Sequence, residues 1–380
     1  MKNKKPECVL ILVDNLNVGG IQRLSLDECY WLKAENINNT ILVLGEPTGI
    51  TTIVDVDGVY FDTNKIQIVY LGKNKITQFC NLIRFFRKSS KKSIVISHSA
   101  GGVPFVFLSQ IFTFKKIKVF LWIHQAITLS KRRQANKRIF YSLFSVKIFF
   151  GAKHFQNEWQ DYVKNSIWRF FYYKQGYFDR IGVFLPRVTW KEHEQVHFCK
   201  NLPSISHLIF ASRMSGWKGF EKFQEICSNL IGNEIHSIVM RINSRENLDA
   251  RGTVNEFEHC ATNLSPSEIY TNSNLVHFYP TSYGEKVRYP QSIGLNVLEF
   301  IALGIPNLIS QESFLTFPEL RNSPLVQVVN WESLRDVEVA FEKAKSLDAE
   351  ERWKEAKSLL GAISIDNHMD TILKEFLEGN

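Results

Sequence analysis

Two adjacent glycines near the start of the chain could bring its backbone close to an anionic ligand. They are Gly19 and Gly20, followed directly by Ile21. Glycine has no Cβ atom, so a ligand can approach the main chain there, and a helix beginning at Ile21 would offer N–H groups and a positive dipole end to a phosphate. The spacing is not Gly-x-Gly-x-x-Gly, so it does not indicate dinucleotide binding. An ordinary glycine turn is the alternative interpretation.

A pair of cations forms a second candidate for phosphate binding. Arg213 and Lys218 lie five positions apart, in a segment predicted to join a strand to a helix that begins at Gly219. Two positive side chains beside a helix N-terminus could hold a diphosphate from one side. The alternative is that both are solvated surface cations.

A carboxylate in the last third of the chain could bind sugar hydroxyls. The pattern predicts a loop containing Gly294 and a helix from about Asn296, with Glu299 in its first turn. Gly304 would end this helix and Pro306 would open the next strand. A carboxylate can accept two hydrogen bonds from the vicinal hydroxyls of a ribose. The alternative is a glutamate that only interacts favourably with the helix dipole.

These candidates follow predicted strands in a chain where short apolar strands alternate with amphipathic helices. Repeated strand–helix order predicts parallel sheets covered on both faces, so the fold class is α/β. The predicted strands are Cys8–Val13, Thr40–Leu44, Ser93–Ser97, Ile117–Trp122, Lys147–Phe150, His207–Ala211, Ser237–Ile242, Leu275–Tyr279 and Pro306–Ile309. The predicted helices are Ile21–Glu35, Ile76–Ser89, Val103–Phe112, Lys131–Phe144, Asn157–Lys164, Gly219–Leu230, Asn296–Leu303 and Ser333–Ser346, with a helical tail from Ala349.

The length of 380 residues suits two domains of roughly 150–200 residues each. A polar segment between Pro186 and Pro203 is the predicted hinge. We therefore expect two doubly wound domains, residues 1–187 and 188–362, facing each other across a cleft that binds ligands. Residues 363–380 would form a C-terminal helix that packs back on the first domain.

The balance of charge differs sharply between the two halves. Residues 1–190 contain 28 Lys and Arg against 12 Asp and Glu, whereas residues 191–380 contain 18 against 26, for a net charge of +8 overall. No acidic residue occurs between positions 63 and 157. Such a positive field attracts anionic partners: nucleic acid, an anionic membrane surface or a phosphorylated substrate. No nucleic-acid recognition motif is present, so nucleic acid is not an expected partner.

Two segments of this basic region mix cations with aromatic residues at helical spacing. One runs from Ile76 to Lys92 and contains Phe79, Phe85 and Phe86; the other runs from Lys131 to Phe144 and contains Arg132 and Arg133. Such helices suit the surface of anionic lipid headgroups. The alternative is that they are ordinary amphipathic helices whose aromatic side chains lie in the core.

Composition narrows the class of protein further. No run reaches the ~18 apolar residues that span a bilayer, and the apolar run from Cys8 to Val13 is too short for a signal peptide. We therefore expect a cytoplasmic protein with free thiols at its six cysteines, attached peripherally to the inner face of the cytoplasmic membrane. Asp55-Val56-Asp57 has the form of a metal motif, but its context predicts a hairpin with an Asp-Gly turn, so no metal is expected.

Taken together, the three stretches resemble the family 4 retaining nucleotide-sugar glycosyltransferases, which have the GT-B fold of two Rossmann-like domains. The family's Gly-Gly loop is matched by Gly19 and Gly20, and its Arg-x4-Lys-Gly loop by Arg213, Lys218 and Gly219. Its Glu-x7-Glu motif, with Gly-Leu inside and Gly-x-Pro after, is matched by Gln291 and Glu299, with Gly294-Leu295-Asn296 inside and Gly304-Ile305-Pro306 after. The resemblance covers nearly the whole chain in consistent order.

The resemblance also selects two histidines at predicted strand ends. It implies that His124 contacts the donor sugar, while His98 is either an acceptor-binding or a structural residue. The departure is Gln291, an amide where the family has a glutamate near the transferred sugar. Gln291 keeps hydrogen bonding but carries no charge, so either donor binding tolerates the change or the protein is a weak or inactive transferase. Glu285 is a candidate substitute.

The resemblance implies transfer of a sugar from a UDP- or GDP-linked donor to a glycan or lipid-linked acceptor, with retention, in the synthesis of bacterial surface polysaccharide. Expected catalytic residues are His124, Arg213, Lys218 and Glu299, and expected donor-binding residues are Gly19, Gly20, Gln291, Gly294, Leu295, Asn296 and Glu299. Expected acceptor-binding residues are His98, Arg132 and Arg133. No cofactor is expected, since the nucleotide sugar is a substrate. The alternative is a catalytically weak or inactive scaffold that binds a partner or glycan.

Overall fold

The computed structural model describes most of the chain in two compact units. The described residues are 6–16, 20–45, 66–89, 93–115, 117–124, 127, 132–166, 169, 172, 176–183, 207–210, 219–230, 236–239, 257–258, 275–280, 293–311 and 317–378. The first unit contains the described residues between 6 and 45, between 66 and 183, and from 365 to 378. The second contains those between 207 and 364.

The first unit is built on a parallel sheet of seven strands. In chain order the strands are β1 (Cys8–Val13), β2 (Asn38–Val43), β3 (Ile68–Tyr70), β4 (Ser93–Ser97), β5 (Ile117–Ile123), β6 (Lys147–Phe150) and β7 (Ile181–Val183). Their order across the sheet is β3-β2-β1-β4-β5-β6-β7. The chain adds strands on one side of β1 as far as β3 and then on the other side from β4, so the strand order reverses between β1 and β4. Doubly wound sheets bind ligands beyond the carboxyl ends of the strands at this reversal.

Six helices belong to the first unit. They are α1 (Gly20–Ala34), α2 (Lys75–Lys88), α3 (Val103–Thr113), α4 (Arg132–Ser142), α5 (Lys153–Lys164) and, from the end of the chain, α10 (Ile365–Glu378). A short 3-10 helix, Tyr177–Arg180, precedes β7. The apolar cluster of this unit joins Leu82, Val106, Ile139 and Trp159, from α2 to α5, to strand residues including Leu121. The C-terminal helix α10 packs against α1.

The second unit repeats the same plan with a parallel sheet of six strands. The strands are β8 (His207–Phe210), β9 (His236–Val239), β10 (Phe257–Glu258), β11 (Leu275–Tyr279), β12 (Asn307–Ser310) and β13 (Val326–Val329), in the order β10-β9-β8-β11-β12-β13. Its helices are α6 (Phe220–Leu230), α7 (Leu295–Ala302), α8 (Leu334–Ser346) and α9 (Ala349–Ile363), with a 3-10 helix at Pro318–Leu320. Both units are therefore Rossmann-like α/β layers, as the strand–helix alternation predicted.

Short edge strands are the main addition to the predicted elements. β3, β7, β10 and β13 were not predicted, and each has two to four residues. A strand of that length shows too little alternation of apolar and polar residues to be recognised. The helical tail is divided at Ser364 into α9 and α10.

The thiols of Cys8, Cys29, Cys80 and Cys227 are free, as expected; Cys29 and Cys227 are buried. Within the described part of the chain, no helix is long and apolar enough to cross a membrane.

Candidate functional site

Two histidines meet at the carboxyl ends of neighbouring strands in the first unit. His98 follows β4 directly and His124 follows β5, and the two strands pair in parallel register. The His98 Nδ1 atom lies 2.8 Å from the His124 Nε2 atom. The parallel sheet thus brings together two residues that lie 26 positions apart in sequence.

A buried carboxylate contacts the other ring nitrogen of His98. Glu28 projects from α1, and its Oε2 atom lies 2.9 Å from the His98 Nε2 atom. Its second oxygen, Oε1, lies 2.9 Å from the Nε2 atom of His368 on the C-terminal helix α10. The side chains of Glu28, His98 and His368 are all fully buried. We call these three residues together with His124 the histidine–glutamate cluster.

The indole ring of Trp122 packs against the histidine rings of this cluster. Its ring stacks against those of His98, His124 and His368, with centroid distances of 5.5, 5.3 and 4.5 Å. Trp122 is the penultimate residue of β5 and is buried. Stacking on one rigid ring restricts the orientation of all three imidazoles, so the hydrogen-bonding atoms hold a fixed geometry.

Glu28 stays ionised although it is buried, because the imidazoles of His98 and His368 stabilise its charge. Burial acts to raise the pKa of Glu28, but the attraction and hydrogen bonds of His98 and His368 outweigh it and lower the pKa to about 2. Burial, followed by the neighbouring His98 ring, lowers the pKa of His124 well below its usual range. At neutral pH the cluster therefore pairs an ionised carboxylate with a neutral His124.

The hydrogen-bond pattern of the cluster fixes where its protons lie. A carboxylate only accepts hydrogen bonds, so His98 and His368 both donate to Glu28 through Nε2–H. With His98 neutral, its Nδ1 atom accepts from the Nε2–H of His124, which leaves the His124 Nδ1 atom as an acceptor. The hydrogen bonds of the cluster therefore set the role of the second ring nitrogen of His124.

Sequence reasoning found His98 and His124 but not Glu28 or His368. Glu28 lies among the buried residues Leu24, Cys29 and Leu32 of α1, so an acid stands within an apolar helix face. That pattern is a usable signal, because acids are almost never fully buried unless paired. His368 carries no such signal, since its partner is 340 positions away.

A second polar contact lies beside His98. The Ser99 hydroxyl donates to the Oδ1 atom of Asp14 at 2.6 Å, and the Ser97 hydroxyl donates to the carbonyl oxygen of Ser99 at 2.7 Å. Asp14 directly follows β1, so this contact joins the carboxyl ends of β1 and β4 at the reversal in the sheet. It fixes the loop that carries His98.

The predicted acceptor-binding arginines lie at the start of α4 in the first unit. Arg132 and Arg133 are the first two residues of α4, and both are exposed. Arg133 lines a cavity of about 560 Å³ together with Lys137, Phe140 and Tyr172. The cavity is bounded mainly by apolar side chains, with two cations among them.

In the second unit, the loop before α7 is closely packed around Gly294. This glycine caps α7 in an extended conformation. A Cβ atom there would collide with the Asn296 amide oxygen and lie 2.9 Å from the Tyr279 hydroxyl. The predicted loop is confirmed, but α7 begins at Leu295, one residue earlier than predicted. Glu299 is therefore in the second turn rather than the first, and it is buried.

The end of α7 follows the sequence prediction. The Gly304 N–H donates to the carbonyl oxygen of Ile301 at 2.9 Å, and the Ile305 N–H donates to that of Phe300 at 2.8 Å. These two bonds satisfy carbonyl groups that the helix leaves without partners. Strand β12 then begins directly after Pro306, which confirms the predicted order of elements.

A buried histidine orients the predicted donor-binding residue Asn296. The Asn296 side-chain amide lies 3.4 Å from the His277 Nε2 atom, and His277 Nδ1 lies 2.6 Å from the Asn307 amide oxygen. Burial lowers the pKa of His277 to about 4, and the bond to Asn307 opposes that change. A neutral ring that donates through Nδ1 and accepts through Nε2 fits both neighbours. Sequence reasoning missed His277 because nothing local distinguishes it within β11.

Gly219 marks a close approach between the start of α6 and the end of β11. Its φ of +77° is in the left-handed region, and a Cβ atom would lie 2.5 Å from the carbonyl oxygen of Pro280. A side chain is therefore excluded there on two grounds. The start of α6 therefore lies beside the carboxyl end of β11.

Several predicted residues lie outside the described part of the chain. They are Gly19, Arg213, Lys218, Gln291, Glu285, the predicted hinge between Pro186 and Pro203, and the Asp55–Asp57 turn. Gly20 is the first residue of α1. Among the described residues, no group of three or more His, Cys, Asp or Glu side chains could hold a metal ion.

Comparison with solved structures identifies the fold. The chain is similar to a glycosyltransferase from Rickettsia africae, with a TM-score of 0.68 and 16% identity over 99% of this chain and 100% of that one. It is similar to Anabaena HepE in complex with UDP-glucose, with a TM-score of 0.66 and 9% identity over 98% and 100%. It is also similar to the lipopolysaccharide outer core galactosyltransferase WaaB, with a TM-score of 0.57 and 10% identity over 97% and 99%.

These neighbours are glycosyltransferases of the GT-B type, and the chain has their fold of two Rossmann-like units. No protein-family model and no curated protein matches the sequence.

Proposed function

We propose that the protein is a retaining, metal-independent glycosyltransferase of the family 4 type, which moves a sugar from a nucleotide diphosphate donor to a glycan or a lipid-linked acceptor. One observation carries this proposal: the chain matches GT-B glycosyltransferases along nearly its whole length. Two of the stretches that resemble family 4 follow the first strand of each unit in the sequence, and the third, from Gln291 to Pro306, contains the sequence of α7. A UDP-linked donor is favoured over a GDP-linked one because the HepE neighbour holds UDP-glucose.

The donor would be bound mainly by the second unit. Arg213 and Lys218 would neutralise the charge that builds on the β-phosphate as the nucleoside diphosphate leaves, which is electrostatic stabilisation of the transition state. Glu299 would accept hydrogen bonds from the ribose hydroxyls. The backbone at Gly294–Asn296 would contact the sugar, and the rigid packing around Gly294 and His277 supports a loop with one conformation. Gln291 would bind sugar hydroxyls through its amide.

The first unit would supply the rest of the donor contacts and the acceptor site. The amides at Gly19 and Gly20 would contact phosphate. His124 would contact the transferred sugar through Nδ1, the ring nitrogen that is not bonded to His98. Glu28, His98 and His368 would then act as positioning residues that fix this nitrogen as an acceptor. No side chain is assigned as a nucleophile, and the resemblance implies front-face substitution without a covalent intermediate.

The acceptor would be an anionic glycan or a lipid-linked pyrophosphate, because the first half of the chain is strongly basic. Arg132 and Arg133 would bind its phosphate. The WaaB neighbour acts on the outer core of lipopolysaccharide, which supports a role in bacterial surface polysaccharide. Peripheral attachment to the cytoplasmic membrane would place the enzyme beside such an acceptor.

Calorimetric titration with UDP- and GDP-sugars, followed by measurement of nucleoside diphosphate release, tests the proposal. We expect binding of one nucleotide class and slow hydrolysis of the bound donor, accelerated by an acceptor. Nuclear magnetic resonance of the product would show the same anomeric configuration as the donor. An inverted product would contradict the retaining mechanism, and failure to bind any nucleotide sugar would contradict the whole proposal.

A scaffold function is the second candidate, and Gln291 favours it. An amide replaces the family's glutamate, so a charge near the transferred sugar is lost. A protein that binds donor or glycan without turnover would fit that change. Nucleoside diphosphate release by the wild-type protein separates the two cases: a transferase that tolerates Gln291 turns over, whereas a scaffold binds the donor but releases no nucleoside diphosphate with any candidate acceptor.

A further inference from the structure

Large apolar side chains are exposed on three helices of the first unit. Phe114, just after α3, is 96% exposed, and Ile76 on α2 is 78% exposed. The full set, which we call the apolar surface, is Ile76, Leu108, Ile111, Phe112, Phe114 and Phe140. Four of the six belong to the second half of α3 or the residue after it. Elsewhere in the described residues, exposed large apolar side chains are Val146, Val328, Leu334 and Val339.

The apolar surface belongs to one continuous layer of helices. Phe79 of α2 contacts Phe112 of α3, with ring centroids 5.6 Å apart. Phe107 of α3 contacts Phe144 just beyond α4 at 4.6 Å, and Phe140 contacts Phe144 at 5.5 Å. These contacts join α2, α3 and α4 side by side. The exposed side chains therefore lie on neighbouring helices.

The structure changes which aromatic residues are available to a partner. Phe86 of α2 is buried, and Phe79 and Phe85 are half-buried, so these aromatics follow the core alternative of the sequence analysis. The exposed aromatics come instead mainly from the end of α3. That helix has no charged residue, so its sequence alone indicates a buried helix.

Exposed cations lie on α2 and α4, the two helices that pack against α3. The exposed members are Lys73, Lys75, Arg84, Arg87 and Lys88 in and before α2, and Arg132, Arg133 and Lys137 in α4. No acid occurs anywhere between positions 63 and 157 to offset them. A partner must therefore combine negative charge with an apolar interior.

We propose that this surface docks on an anionic lipid bilayer. Phe112, Phe114 and Ile111 would enter the boundary between headgroups and acyl chains, and the exposed cations of α2 and α4 would contact lipid phosphates. Nucleic acid offers the negative charge but makes no use of exposed aliphatic side chains. The cavity of about 560 Å³ beside Phe140, with Arg133 and Lys137 in its lining, would take the end of one lipid chain beneath a phosphate. The inference deepens the proposed peripheral attachment by naming the surface that makes it, and it does not depend on sugar transfer, because it concerns a surface rather than the donor site.

Co-sedimentation of the full chain with lipid vesicles tests this inference without any donor or acceptor. One vesicle is phosphatidylcholine alone and the other also contains phosphatidylglycerol. We expect binding to the anionic vesicles and much weaker binding to the neutral ones, with affinity falling as salt rises. Equal binding to both, or binding to neither, would overturn the inference.

Two pairs of variants identify the surface. Ile111→Ser with Phe114→Ser should weaken binding to anionic vesicles by on the order of tenfold, since it removes two inserted side chains that are 54% and 96% exposed. Arg87→Gln with Lys88→Gln should weaken it by a similar order and reduce its salt dependence. The matched controls are Leu334→Ser with Val339→Ser, and Lys343→Gln with Lys354→Gln, on helices α8 and α9 of the second unit.

All these positions are exposed, so the unfolding midpoint of each variant should match that of the wild type. This comparison checks that every variant is folded. Vesicle binding that survives both surface variants, or that falls equally in the controls, would contradict the assignment. The failure of sugar transfer would leave this vesicle result unchanged, so the two proposals fail separately.

Discussion

The Nε2 atom of His368 lies 2.9 Å from the Oε1 atom of Glu28, although 340 positions separate the two residues. This contact joins the C-terminal helix to the helix that follows the first strand. Because the other oxygen of Glu28 contacts His98, the last helix of the chain is directly connected to the histidines at the strand ends. The C-terminal helix is thus part of the support for His124.

Loss of the Glu28 charge should destabilise the first unit. In Glu28→Gln, an amide replaces a buried carboxylate that accepts from two imidazoles, and we expect a loss on the order of 3 kcal/mol in the free energy of unfolding. Glu375→Gln is the matched control on α10, because the Glu375–Lys147 pair is 2.9 Å long but about one-third exposed. It should cost less than about 1 kcal/mol. Equal losses in urea denaturation would contradict a special role for Glu28.

His124 should matter for turnover. His124→Ala removes the proposed contact to the transferred sugar, and we expect kcat to fall by on the order of 10–100-fold. His98→Gln should lower kcat with a smaller change in donor KM, because it alters the role of His124 Nδ1 without touching the nucleotide. Steady-state assays that determine kcat and donor KM separately check this. An unchanged kcat in both variants would exclude the cluster from catalysis.

Gly294 should be intolerant of even one added carbon. In Gly294→Ala the new Cβ would collide with Asn296 and press on the Tyr279 hydroxyl, so the loop must shift and donor KM should rise. Gly361→Ala is the control, since nothing lies within 4 Å of its added Cβ and the site is inside α9. That control should be neutral or stabilising by up to about 1 kcal/mol. A donor KM in Gly294→Ala equal to that of the wild type would show that the loop does not bind donor.

His277 should make the second unit sensitive to mild acid. The folded protein keeps this ring neutral down to a pKa of about 4, whereas the unfolded chain takes up a proton near pH 6.5. The unfolded state then binds more protons, so the stabilisation is fully present above pH 6.5 and is lost as pH falls towards 4. The loss amounts to roughly 3 kcal/mol. Urea midpoints measured across this range should fall more steeply for the wild type than for His277→Gln; equal slopes would contradict the assignment.

The fold was largely predictable because its main elements carry strong local patterns. Strands β1, β4, β6 and β11 have the predicted bounds, since each is a short apolar run between polar residues. The edge strands escaped prediction because they are too short to show periodicity. His98 and His124 were selected by the family resemblance, and the predicted strands placed both at strand ends.

The support beneath those histidines could not be predicted in the same way. His368 and His277 act through contacts that only the folded chain creates, and no spacing in the sequence indicates them. The apolar helix face around Glu28 indicates a buried acid but not its partners. The exposed end of α3 was missed for the opposite reason: an uncharged apolar helix indicates burial, and only the packing of α2 and α4 around it shows which side remains open.

The central claim is that the protein binds a nucleotide diphosphate sugar through Arg213 and Lys218. Calorimetric titration of UDP and GDP into the wild type, Arg213→Ala, Lys218→Ala and the control Lys222→Ala tests it directly. We expect one nucleotide to bind the wild type and the control alike, and each of the other variants to bind at least tenfold more weakly, because a charge-assisted contact is lost. Equal affinity in all four proteins would contradict the account.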